Sequence, residues 1–214
     1  MSENSEKRML EVFSGTGRMA AAFKERGWNT LTVDLHQDAD LEIDVRQLTY
    51  DIVVERLGGE PDVIWLSPPC TGFSMASVGA HWGGDRPDKV AQDGIGLFAE
   101  AFRIIMLFRK ATFYIENPHG MTYTLPLLNL IPRHRLTYCQ YGENRQKPTL
   151  IWTNDDEWQP APACKKGSPC HEAAPRGSKT GTQGIKGAKD RGAIPFQLCE
   201  EIARRHTPEE VIIT

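Results

Sequence analysis

The chain has no long apolar run. Its most apolar helix-like stretch, Gly96 to Phe108, is interrupted by Glu100 and Arg103, and its opening residues, MSENSEKR, are polar and carry no apolar leader core. The sequence therefore predicts no membrane span and a cytoplasmic location. Cysteine is sparse and odd in number: Cys70, Cys139, Cys164, Cys170 and Cys199 are scattered over 214 residues. That argues against a disulfide framework and for reduced thiols. There is no visible internal repeat and no overall basic character, the net charge being −3. The length suits one domain with a real hydrophobic core.

What charge there is has been distributed unevenly. Between Cys164 and Arg191, seven basic residues (Lys165, Lys166, Arg176, Lys179, Lys186, Lys189, Arg191) stand against Glu172 and Asp190, a local +5 that leaves −8 on the rest. A basic, glycine- and serine-containing segment on an acidic body reads as a polyanion contact or as a solvated loop. The wider stretch Asn154 to Gly192 has almost no hydrophobic periodicity and reads as a loop region or a minimal appended module. Within it Cys164, Cys170 and His171 give C-x5-C-H without a second ligand pair at usual spacing, so no metal is expected.

Elsewhere strands and helices alternate. MLEVF (Met9 to Phe13) reads as a strand, followed by the turn Ser14-Gly15-Thr16-Gly17 and a helix pattern over Met19 to Arg26. Glycines there allow a tight bend and close approach to a ligand, beside the free N–H groups of the helix. A second strand, Asn29 to Leu35, brings Asp34 about 20 residues past the glycines, where nucleotide-binding α/β folds hold a ribose. Asp44 precedes a helix pattern that runs through Leu57, as its cap or as a further ligand.

The strand Val63 to Leu66 is stopped by Ser67-Pro68-Pro69, which delivers Cys70 at a strand's carboxyl end. That thiol is placed as a nucleophile or is a buried structural cysteine. The polar stretch Thr71 to Gly94 reads as a lid over it, and Ile95 to Lys110 as an amphipathic helix. A strand over Ala111 to Ile115 ends in Glu116-Asn117-Pro118, a carboxylate placed to protonate or hydrogen-bond whatever the thiol attacks. A short helix (Leu125 to Leu130), strands Arg135 to Tyr141 and Pro148 to Trp152, and a closing helix Ile194 to Arg205 packed back on the first strand complete the pattern. The fold class predicted is α/β, a Rossmann-like doubly wound, mostly parallel sheet.

The order of these motifs resembles the DNA cytosine-5 methyltransferase family. Phe13-Ser14-Gly15-Thr16-Gly17 is similar to its F-x-G-x-G loop, Asp34 and Asp44 to its ribose and adenine acids, Pro68-Pro69-Cys70-Thr71-Gly72-Phe73-Ser74 to its P-P-C-Q-x-F-S motif, and Glu116-Asn117 to its Glu-Asn motif. The resemblance implies S-adenosylmethionine as cofactor, held by Phe13 to Gly17, Asp34, Asp44 and Pro68. It implies Cys70 adding to C6 of a flipped-out cytosine, Glu116 on the N3 edge, Arg145 or Lys147 on the base carbonyl or a phosphate, and a methyl group delivered to C5. Duplex DNA is the first substrate it implies; RNA, a free cytidine nucleotide, or noncatalytic DNA binding are the alternatives. Ser74, Arg86 and the basic residues Lys165, Lys166, Arg176, Lys179, Lys186 and Lys189 would meet nucleic acid. Two departures stand out: the Q-x-R-x-R register reads Arg145-Gln146-Lys147-Pro148-Thr149, and the target-recognition region shrinks to 154–192, between a core of 1–153 and a closing helix in 193–214.

Overall fold

Strands of two to seven residues build the sheet. A computed structural model describes residues 6–36, 38–74, 78–83, 87–165, 167–172 and 187–207, with backbone alone at 78, 188 and 189. Its strands are β1 (Arg8–Val12), β2 (Asn29–Asp34), β3 (Leu41–Glu42), β4 (Val63–Leu66), β5 (Thr112–Pro118), β6 (Arg133–Thr137) and β7 (Pro148–Thr153). They lie in the order β3-β2-β1-β4-β5-β7-β6. The first five run parallel, and β7 runs antiparallel between β5 and β6. This is the α/β, mostly parallel architecture that the alternation predicts.

Side chains alternate across the sheet and divide the core into two layers. Leu10, Val12, Ile64 and Leu66 face α2 (Tyr50–Leu57) and α4 (Lys89–Leu107). Met9, Trp65 and Tyr114 face α1 (Arg18–Lys24) and α6 (Phe196–His206). β4 is buried at every position, as a central parallel strand covered on both faces must be. The closing helix lies over the layer that includes Met9 of β1, but its direct neighbour is α1, to which Arg26 ties it by two bonds to Glu200 at 2.9 and 2.7 Å.

Several expected boundaries move. Asp44 caps only a 3-10 turn (Val45–Gln47), because α2 has its own cap in Thr49, whose hydroxyl accepts from Ile52 N–H at 3.3 Å. α4 begins at Lys89 rather than Ile95, started by Asp88, whose side chain accepts from Ala91 N–H at 3.0 Å. The short helix near Leu125 is a 3-10 turn (Pro126–Leu130), and β6 gives way at Tyr138 to another (Tyr138–Tyr141). Two short helices remain, α3 (Val78–His81) and α5 (Ala188–Gly192). Among the described residues no helix is long and apolar enough to cross a membrane.

Candidate active site

The chain leaves β1 for β2 and later returns to β4, so the carboxyl ends of β1 and β4 flank the point where strand order reverses, the place at which open α/β sheets bind ligands. At the end of β1, Phe13 takes φ 58°, an uncommon left-handed conformation for a residue with a Cβ. The glycine loop follows, and Gly17 at φ 64° starts α1. Asp34 fastens that loop to β2: its carboxylate accepts from Gly15 N–H at 2.9 Å and from His36 N–H at 3.0 Å. A cleft of about 660 Å³ opens here, lined by Phe13, Asp34, His36, Asp44, Ser67 and Pro69 among others. The Asp44 carboxyl is held below its usual range by Arg46, first through the backbone N–H and then through the guanidinium, both at 2.9 Å. Gly17 does not line this cleft; it borders a separate depression of about 280 Å³ with Thr16.

A second cavity, about 240 Å³, holds Cys70, Thr71, Glu116, Lys147, Gly192 and Ile194, and it shares Phe13, Ser67 and Pro69 with the first. Pro68 lines this second cavity rather than the larger cleft. Cys70 is delivered there by a tightly held turn. The Asn117 side chain donates to the Pro68 carbonyl at 2.8 Å, and Phe73 and Ser74 N–H return to the Cys70 carbonyl at 2.9 and 3.0 Å. Phe73, fully buried, packs on Trp82 and Phe98, while Trp82 donates to the Gly72 carbonyl at 2.6 Å. Ser74 bridges to Gly120. The expected lid therefore shortens at both ends: Phe73 belongs to the core, and the helix has begun by Lys89. Arg86 lies outside the described residues.

Glu116 and Lys147 reach the cavity from neighbouring strand ends. Because β7 is antiparallel, its start lies beside the end of β5, with Pro118 opposite Thr149. Lys147 Nζ stands 3.9 Å from Glu116 Oε1 and donates to Tyr138 Oη and to the Arg191 carbonyl, both at 3.3 Å. Tyr138 in turn donates to Glu116 Oε1 at 2.9 Å. Burial pushes the Glu116 carboxyl and the Cys70 thiol up, and the Lys147 cation opposes both shifts. Burial also pulls the Lys147 ammonium down, against the pull of Glu116. The cavity thus gathers a thiol, a buried carboxyl and a lysine ammonium.

Arg145 does not join them. Its buried guanidinium faces away, donating to the carbonyls of Asp190, Arg191 and Ala193 at 3.3, 3.1 and 3.1 Å, and pairing with Glu143 at 3.3 Å. It holds the chain that forms the cavity wall at Gly192 and Ile194. Of the basic segment, Lys165 is exposed, Lys189 falls in α5, and Lys166, Arg176, Lys179 and Lys186 lie outside the described residues. Two site residues escape the sequence reading. Tyr138 offers no signal, since its role depends on the strand reversal. Glu11 is a buried acid in the alternating run MLEVF; it accepts from Ala20 N–H at 2.7 Å, borders the Cys70 cavity, and is pushed up to about 8 chiefly by burial.

No family model matches the chain. It is similar to the probable DNA (cytosine-5)-methyltransferase of Frog virus 3, at 32% identity over 170 residues, covering 75% of this chain and 77% of that one. The type II methyltransferase M.AquIA of Picosynechococcus is 27% identical over 132 residues, which span 54% of this chain and 50% of the relative. Among solved structures, a DNMT2 mutant of Spodoptera frugiperda aligns over 75% of this chain and 54% of its own, at 18% identity and a TM-score of 0.49.

Proposed function

The chain belongs to the DNA (cytosine-5)-methyltransferase family, and from that premise we propose that it transfers a methyl group to C5 of cytosine in DNA through a covalent bond between Cys70 and C6. The observation that carries this reading is the cavity shared by Cys70, Glu116 and Lys147, joined to the larger cleft through Phe13, Ser67 and Pro69. The cleft suits S-adenosylmethionine: Phe13 at the head of the glycine loop, acids at Asp34 and Asp44, and a size in the usual ligand-pocket range of about 300–1,000 Å³. Bound there, that cofactor supplies an electrophilic methyl group.

The protein's residues account for the remaining steps. The Cys70 thiolate adds to C6, and the electron pair displaced from the ring is met at N3 by a proton from Glu116, whose carboxyl burial pushes up. Lys147 opposes the burial that disfavours the thiolate, and its Nζ donates to the base carbonyl. C5, now nucleophilic, takes the methyl group; water accepts the C5 proton, the S–C6 bond breaks to restore the thiolate, and N3 returns its proton to Glu116. A cavity of about 240 Å³ behind a sheet edge admits a base only when it has left the helical stack. The basic segment would hold the phosphates, with a contribution that falls steeply with salt.

Transfer of a labelled methyl group from S-adenosylmethionine to duplex DNA, single-stranded DNA, RNA and cytidine nucleotides, side by side, tests the proposal. Label on DNA cytosine that vanishes in Cys70→Ala while DNA binding survives is the expected result. Label only on RNA or nucleotide would reject the DNA substrate, and an unchanged rate in Cys70→Ala would reject the mechanism.

A further inference from the structure

Outside the cavity, three thiols and an imidazole converge. Cys139 lies in the 3-10 turn after β6, whereas Cys164, Cys170 and His171 come from the segment after β7. Their ligand atoms all lie within 4.8 Å of one another. The sequence pattern C-x5-C-H lacks a partner only when ligands are counted along the chain. The fold brings one from 25 residues before Cys164, a ligand that counting along the chain does not supply.

The separations are those of a coordination shell. Cys139 Sγ is 3.7 Å from Cys170 Sγ and 3.2 Å from Cys164 Sγ, and His171 Nδ1 is 3.6 and 3.5 Å from the sulfurs of Cys164 and Cys170. A tetrahedron with zinc bonds of about 2.3 Å to sulfur and 2.0–2.1 Å to nitrogen has edges of about 3.8 Å between sulfurs and about 3.5 Å between sulfur and nitrogen. Three of the four measured edges match. The shorter sulfur pair is still far from the 2.03–2.05 Å of a disulfide, and all five cysteines are free. Around the cluster, the Gln140 and Gln146 side-chain amides each donate to a sulfur, Cys170 and Cys164 respectively, at 3.3 Å. Such donors stabilise thiolate ligands from outside the shell.

We propose that Cys139, Cys164, Cys170 and His171 bind one zinc ion as a closed structural site. Three sulfurs and one nitrogen fill the four positions, leaving none for substrate or water. The ion fastens the segment after β7 to the β6–β7 connection, which also carries Arg145 and Lys147. Weaker ties already mark the same junction: Cys164 N–H donates to Thr137 Oγ1 at 3.0 Å, and Glu172 N–H to the Asn144 carbonyl at 2.8 Å. Because thiols lose protons on binding, zinc uptake releases acid.

The test is elemental analysis of the reduced full-length chain, purified without chelator, together with the absorption spectrum after cobalt replacement. One zinc per chain and the thiolate-to-cobalt and tetrahedral d–d bands are expected, with zinc kept in Cys70→Ser and lost in Cys164→Ser and Cys170→Ser. Full zinc content in those two variants would overturn the site. So would wild-type protein that takes up neither metal, including protein in which Cys139 and Cys164 are found crosslinked instead. If the serine variants fail to fold, the wild-type stoichiometry and cobalt spectrum decide alone. Neither readout involves methyl transfer, so the result stands apart from the substrate assignment.

Discussion

Gly120→Ala is the sharpest probe of how Cys70 is aimed. A Cβ at Gly120 would lie 2.1 Å from the Phe73 carbonyl oxygen, 3.0 Å from its carbon and 3.2 Å from Ser74 Cα. The backbone at Gly120 is extended, with φ −173°, so the whole penalty is contact. Relief to the 3.4 Å of ordinary contact needs about 1.3 Å of movement along the shortest line. The turn cannot yield freely, since Gly72 sits against the α4 backbone, where its own Cβ would lie 2.9 Å from Ala91 Cα. The shift therefore passes through the Phe73 and Ser74 N–H bonds into Cys70. A displacement of roughly 1 Å at a reacting group costs on the order of 10²-fold in rate, and the overpacking itself about 1–3 kcal/mol of stability. Single-turnover methyl transfer, cofactor titration and thermal unfolding separate these effects. The expected outcome is a kcat reduced on the order of 10²-fold with cofactor affinity kept. Gly96→Ala, whose Cβ meets nothing within 4 Å, should instead gain about 0.5–1 kcal/mol of stability. A folded Gly120→Ala protein with wild-type kcat, or one that loses cofactor affinity alone, would refute the reasoning.

Other outcomes follow from the buried charges. Lys147→Met removes the cation that opposes the burial-driven rise of Cys70 and Glu116, so Cys70 alkylation and methyl transfer should both shift to higher pH, and an unshifted alkylation profile would contradict the assigned role. Arg145→Gln should act on the fold, leaving buried carbonyls without donors and lowering unfolding free energy by about 2–3 kcal/mol in urea titration. Glu11, raised from 4.5 to about 8, resists ionisation in the folded state, so its contribution is intact below about 4.5 and is lost as pH climbs to about 8. Wild-type stability should fall over that window by up to about 1.4 kcal/mol per pH unit from this group, and Glu11→Gln should flatten that part of the slope.

The sheet and the thiol's position were legible because they depend on local signals: apolar runs, a double proline, an acid at a strand's end. What was not legible depends on partners distant in the chain. The start of α4 was hidden because Gly94 and Gly96 weaken the helical pattern, and Gly94 is needed where a Cβ would lie 2.6 Å from the Phe73 ring. Arg145 and Lys147 look interchangeable as basic residues of one motif, yet one is turned to carbonyls 45 to 48 positions away and the other to the cavity. The direction of β7 leaves no trace in its composition, and Tyr138, Lys147 and Cys139 all take their places from it.

That one reversed strand also limits how the segment after it can vary in length. β7 starts at the ligand-bearing edge and ends at the opposite one, so the chain beyond Thr153 must climb back about 20 Å, the length of a six-residue strand, before it can help form the cavity wall at Gly192. Trp158 is buried on the way, Ala161 N–H donates to Tyr141 Oη at 2.9 Å, and Cys164 is hydrogen-bonded to Thr137. The stretch up to His171 is thus a strap of set length. An insertion or deletion between Thr153 and Cys164 would have to strain or break one of these ties.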